Sequence, residues 1–235
     1  MSITLTFGED FQNSIGYNIE YFEQLKTVFP MTEIYGLHQS GENLNVELPK
    51  AWISIVRNPF SDFEQNVLFQ QIANPSFLTI QEKKTSNKKL SKLKTRTTVG
   101  FNDGQLSDLE GVISIQSFNC RNFPHLINLY SRIILYSLFT ENLNVQTIEA
   151  NYYPNIERTC IRNLSSLSRK KIITYILGQS ITITFQWYCR AIPITPKMTF
   201  ILNSGDLLIM DEKSLGIDGK RSVDLTLRHF IGSAN

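Results

Sequence analysis

The residues best suited to chemistry in this chain are few and far apart. His229 stands beside Arg228 in LTLRHFIG, and the other histidines are His38 and His125. A neutral imidazole can bind a metal or move a proton near neutral pH. A guanidinium is suited to clamp a carboxylate through paired hydrogen bonds. One histidine by itself holds a metal weakly, so the plain expectation is a structural His229 on the last strand. Arg228 is then expected to pair internally with Asp206, Asp211 or Asp224. His38 and His125 fall in a loop and at a helix start, where structural roles are expected. Cys120, Cys160 and Cys189 are odd in number and widely spaced; they form no zinc motif and suit reduced thiols. No glycine-rich phosphate loop and no supported Ser-His-Asp order is present.

A second kind of chemistry lies in residues 81–96, QEKKTSNKKLSKLKTR. Seven of these sixteen are basic: Lys83, Lys84, Lys88, Lys89, Lys92, Lys94 and Arg96. Such a run can neutralise phosphates and release their counterions, but it carries no aromatic ring on which a base would stack. The net charge of +2 does not by itself indicate nucleic acid. The expectation is an exposed loop that meets a protein partner or an assembly contact through an acidic surface. A nucleic-acid-binding module is the alternative.

The elements that must position these residues follow from periodicity. Residues 18–29 place Ile19, Phe22, Leu25 and Phe29 at helical spacing, and Pro30 stops the helix. A second helix is expected over 61–73. FPHLINLYSRIILYSLF carries a broad apolar stripe of Leu126, Leu129, Tyr130, Ile133, Ile134 and Leu138. Residues 3–7, AWISIV and VISIQSF read as strands. After residue 145 short strands dominate: TIEANYY, KKIITYIL, ITITFQWYC, MTFILN, DLLIMD and DLTLRHFI, separated by turn signals. Trp52, Trp187, Tyr188, Tyr152 and Tyr153 fall in these strands and are expected mostly in the core. The fold class is therefore α+β, mainly β: an antiparallel sandwich or jelly roll with flanking N-terminal helices. One domain over 1–235 is expected, with a helix-containing part over 1–145 and the core strands over 146–231. No apolar run is long enough to span a bilayer. The start lacks the pattern of a signal peptide, so the expected location is intracellular, cytoplasmic or virion-associated.

TFQWYCRAIPI, MTFILNSGDLLIMDEKSLG and LTLRHFIG, together with ITLTFGED and LPKAWISIVRN, resemble the AlkB-like 2-oxoglutarate/Fe(II) oxygenases. The likeness is to an uncharacterised set from large DNA viruses, bacteria and protists, and it is weakest over 60–145. It implies a double-stranded β-helix. In that family a His and an Asp two residues apart, before the IITYIL-type strand, join a second His to hold iron in a facial triad. Here Leu164 stands for that His, Ser166 for the Asp and Ser168 for the following Glu, while Arg169-Lys170-Lys171 match the family pattern. Leucine has no lone pair, and a neutral hydroxyl is a poor substitute for a carboxylate. Glu149 and Glu157 are the acidic residues near this position. Arg169, Arg228 and His229 are the residues of the old site that the resemblance leaves in place: Arg228 matches the arginine that clamps 2-oxoglutarate, and His229 a third iron ligand. The expectation is a protein without cofactor and without catalysis that reuses the fold for binding, scaffolding or virion structure. The alternatives are an active dioxygenase with an atypical Fe(II) and 2-oxoglutarate site, acting on nucleic acid or protein, and the nucleic-acid module.

Overall fold

A computed structural model describes residues 1–10, 16–41, 47–73, 97–102, 116–137, 147–156, 160–164, 169–216 and 225–232. Ser166, Ser168, Glu157, Asp224 and the whole basic segment from Lys83 to Arg96 lie outside the described residues.

Two sheets face one another. Sheet A runs, in spatial order, β2 (Thr32–Gly36), β3 (Trp52–Val56), β12 (Leu207–Met210), β8 (Arg169–Gly178), β1 (Ser2–Asp10), β6 (Thr147–Tyr153), β4 (Thr97–Asn102) and β5 (Gln116–Asn119). Its neighbours are antiparallel except β4 and β5. Sheet B runs β7 (Cys160–Leu164), β13 (Leu225–Gly232) and β9 (Ile181–Cys189). The free side of β9 pairs with both β10 (Ile192–Pro193) and β11 (Met198–Leu202). The pairings nest. Innermost is β9 with β11, around it β8 with β12, around that β7 with β13, and outermost β6 with β1. This mainly β α+β architecture is compatible with a jelly roll. Its outermost return strand comes from the N-terminal end of the chain.

Three of the described elements, helices α1 (Ile19–Val28), α2 (Asp62–Ile72) and α3 (Pro124–Ser137), cover the outer face of sheet A. Helix α1 starts where Asn18 accepts from the Tyr21 amide at 3.0 Å. Helix α2 starts with a reciprocal box between Ser61 and Glu64. Strand alternation then divides the core in two. Ile3, Leu5 and Phe7 of β1 face the helices with Ala150, Tyr152, Ile173 and Tyr175. Ile53, Ile55, Ile176, Ile183, Phe185, Trp187 and Leu227 fill the space between the sheets. Trp187, Tyr152 and Tyr153 are buried as the sequence implies, whereas Trp52 and Tyr188 are half-buried.

The sequence assigns most of the roll to 146–231, which holds β6 to β13, while β1 to β5 supply five of the eight strands of sheet A. Strands β2, β4, β7 and β10 are additions to the sequence reading. Each is short or broken by Gly or Pro, and β2, β4 and β7 find their partners far away in the chain.

Candidate functional site

Of the residues the sequence singles out, Leu164 and His229 face each other where β7 pairs with β13. His229 is buried and belongs to the face of β13 that carries Leu227 into the core. Its ring lies 5.7 Å from that of Phe185 on β9. The backbone carbonyl of Ser214 accepts a hydrogen bond from the imidazole, and Nδ1 is buried without a partner. Burial pushes the His229 pKa down from 6.5 to about 4, against the pull of the Ser214 carbonyl, so the ring is neutral at physiological pH. The position directly opposite His229 across the ladder is Leu164. Two residues far apart in sequence are thus register partners.

The turn that supplies Ser214 is held by Asp211. Its Oδ1 accepts from the Ser214 amide at 2.7 Å and its Oδ2 from the Trp52 amide at 2.8 Å. Ser214 Oγ donates to the Asp211 carbonyl at 2.9 Å. Burial raises the Asp211 carboxyl to about 6, with those amide bonds pulling it back. Sequence reasoning offered Asp211 as a partner for Arg228, but both of its carboxylate oxygens serve backbone amides instead.

Arg228 does not reach this interior. Alternation along β13 puts it on the outer face of sheet B, opposite to His229, with its guanidinium 4.4 Å from the ring centre of Tyr188. A clamp on a keto acid beside His229 is therefore incompatible with its placement. Its expected pairing with Asp206 is corrected too. Asp206 is taken by Arg57 Nη1 at 2.6 Å, and Arg57 Nη2 binds Glu33 at 2.7 Å. Arg57 holds the Glu33 carboxyl below the usual carboxylate range. Arg57 Nη1 also donates to the Ile201 carbonyl at 3.0 Å, closing the seam where edge strands β2 and β11 meet. Asp206 keeps the turn role the sequence implies, accepting from the Asn203 amide at 2.8 Å. For Arg169 the register alone is described: it begins β8, opposite Asp10.

A feature missed in the sequence lies on the inner face of sheet A. That face is apolar at β12 and β8, with Leu208, Met210, Ile172 and Ile176, and turns polar towards β1, β6 and β4. Thr174, Thr6 and Glu149 are cross-strand neighbours in one row, and Thr4, Asn151 and Thr98 in the next. Thr98 Oγ donates to Asn151 Oδ1 at 2.7 Å. The signal was present as alternation in ITLTF and IEAN, but the sheet order needed to align the rows was not. His38 packs its ring on Trp52 at 4.8 Å, and its Nδ1 lies 3.3 Å from the Ala51 carbonyl, a structural placement.

Among the described residues no three His, Cys, Asp or Glu side chains converge in a way that could hold a metal. His229 offers one nitrogen, and the position facing it is a leucine. The arrangement can accept one hydrogen bond at Nδ1, or donate one there in the other tautomer.

No protein-family model matches the chain. Over 90 residues it is 34% identical to an uncharacterised protein of Acanthamoeba polyphaga mimivirus, a match covering 38% of this chain and 36% of the viral protein. The chain is thus related to a viral protein over about a third of either length. No described helix is long and apolar enough to cross a membrane.

Proposed function

We propose that this chain is a non-catalytic protein that reuses an oxygenase-like roll as a scaffold for binding or assembly, with a virion or a virus-infected cell as its setting. The observation that carries this reading is the pairing of Leu164 with His229. An oxygenase-type centre draws ligands from both of those strands, and here one strand offers a hydrocarbon. Phe185 beside the imidazole makes the surroundings apolar as well. A divalent ion brought there would lose water and gain one nitrogen. The viral relative supports the setting.

The competing reading is a dioxygenase with an atypical iron centre, and the buried, unpartnered Nδ1 of His229 is the observation in its favour. Anaerobic titration with Fe(II), with and without 2-oxoglutarate, separates the two. The scaffold reading expects no stoichiometric iron and no protein-dependent succinate. Stoichiometric uptake, or turnover, rejects it. Restoring Leu164→His together with Ser166→Asp is expected to raise metal affinity above that of the parent chain.

A further inference from the structure

The molecule is layered: helices, then sheet A, then sheet B. Among the described residues its two outermost faces differ in charge, and both expose apolar side chains. The strands of sheet B, with the turns over 178–205, contain no Asp or Glu although the chain has 21 acidic residues. They carry Arg190, Lys197 and Arg228. Arg190 and Lys197 are exposed and form no ion pair with another described residue. On the helix layer the signs reverse. Glu20 and Glu23 of α1 and Asp62 of α2 are exposed and likewise without an ion pair among the described residues. The cations of the three described helices are Lys26 and Arg132, and Arg132 is bound to Glu64.

The large exposed hydrophobic side chains of the described residues divide between the same two faces. Met31 (70% exposed), Phe63 (75%), Leu135 (60%) and Val28 (38%) belong to the helix layer, while Ile192 (66%) and Ile201 (60%) belong to sheet B. Sequence neighbours of three of the helix-layer residues meet one another. Tyr136, next to Leu135, meets Phe29 at 4.7 Å and Phe60 at 6.4 Å, and Arg132 covers Phe60 at 4.5 Å while it binds Glu64 beside Phe63. On sheet B, Ile201 shares the outward face with a packed layer of Arg228, Tyr188 and Phe230, the two rings 6.5 Å apart.

We infer that the helix layer of one molecule docks on the outer face of sheet B of a second copy, head to tail. The acidic helix face and the acid-free, cationic sheet face are complementary in sign, and each has apolar side chains to bury on the other. Because the two surfaces are different and lie on opposite sides, the contact is heterologous. It propagates as a chain, or closes as a ring if the rotation per molecule allows, rather than forming a two-fold dimer. Screening by salt weakens such a contact. The inference names the partner that the proposed assembly role leaves open. It does not depend on the state of the roll interior, so iron binding would overturn that reading and a strictly monomeric protein this one.

The test is sedimentation velocity over a range of protein and salt concentrations with the full chain and two variants. One variant disables the helix face (Phe63→Asp, Leu135→Glu) and the other the sheet face (Arg190→Glu, Ile201→Glu). Circular dichroism checks that each folds, and Phe63→Ser and Arg190→Ser replace either that does not. The parent is expected to associate with rising concentration, more weakly in high salt. Each variant alone should associate at least tenfold more weakly. An equimolar mixture of the two should form a one-to-one pair and stop there, because each contributes its one intact face. A monomeric parent, a mixture that stays monomeric, or a two-fold dimer sensitive to one variant only would overturn the inference. So would a monomer whose sheet B face instead binds single-stranded nucleic acid in a salt-dependent manner.

Discussion

His229 and Asp211 are both buried, both tied to Ser214, and titrate in opposite senses. The folded His229 pKa, about 4, lies below the value of about 6.5 that it has unfolded. Its contribution to stability is full above 6.5 and is lost as the pH falls towards 4. The folded Asp211 pKa, about 6, lies above its unfolded value of about 3.8. Its contribution is full below 3.8 and is lost as the pH rises towards 6. Between about pH 4 and 6 the unfolded chain holds the proton on the histidine and the folded chain holds it on the aspartate, so the two slopes cancel. Asp211→Asn is expected to expose the histidine branch: relative to the parent, stability should rise with pH across that window by about 1.4 kcal/mol per unit. His229→Gln should show the reverse, a relative stability that falls with pH. Urea unfolding at several pH values from 4 to 7 measures both, and parallel profiles for all three proteins would reject the assignment. A second prediction concerns Arg57. Removing its guanidinium leaves Asp206, 2% exposed, buried without its cation, though still bonded by the Asn203 amide. Arg57→Met is expected to cost about 3 kcal/mol, read from the urea midpoint, while Glu33→Gln, at the exposed end of the same network, should cost less than about 1 kcal/mol.

At the scale of elements, the β9–β10 hairpin carries strain. Its two-residue loop is Arg190-Ala191, and both have positive φ, 49° and 65°. A hairpin turn of this length favours Asn-Gly there, because a Cβ in the left-handed region crowds the backbone by about 1–2 kcal/mol per residue. Arg190→Asn with Ala191→Gly is therefore expected to stabilise the protein by about 1–2 kcal/mol, a rise in melting temperature readable by calorimetry. An unchanged or lowered melting temperature would show that the surroundings already relieve the strain. The sequence shows a turn signal between ITITFQWYC and MTFILN but no hairpin, because its turn residues are not those that signal this turn. The same limit explains the other elements. Helix α1 was readable because Phe22 and Leu25 repeat at helical spacing after Asn18, and β9 because ITITFQW alternates. Strand β7, CIRNL, has neither pattern; it exists because β13 supplies its partner residues some seventy positions later. Arg228 reads as the partner of an Asp within the chain because alternation shows which residues of β13 share a face but not which face is buried. Leu227 at 0% exposure settles that, and it lies in a core built by strands from both ends of the chain.

For the whole molecule, the telling feature is where β1 lies. The first strand of the chain is flanked on both sides in the middle of sheet A: Ile3 is opposite Tyr152 on one side and Leu177 on the other. Its start is stitched to the β8–β9 turn, where the Met1 carbonyl accepts from the Gln179 amide at 3.2 Å and the Met1 amine donates to Gln179 Oε1 at 2.8 Å. Gly178 in that turn has φ +85°, and a Cβ there would stand 2.5 Å from the Met1 carbonyl oxygen, so glycine is needed for the close approach. The alternation of ITLTF marked the strand, but nothing local in it announces neighbours about 150 residues away, which is why the sequence reads most of the roll in the C-terminal half. Such distant pairings are closed late and at high entropic cost, so slow folding is expected. They also make β1 the joint between β8 with β12 on one side and β6 with β4 on the other. Leu5 is fully buried on the helix-facing side, and Leu5→Ala should cost about 2–5 kcal/mol. If β1 joins the two halves into one cooperative unit, native-state hydrogen exchange will show protection falling by the same free energy in β6 and in β8. Loss confined to one flank would show that the halves open independently and that β1 merely fills the gap between them. The first outcome is expected, because ladder bonds on both sides of β1 would have to break before either flank could open by itself.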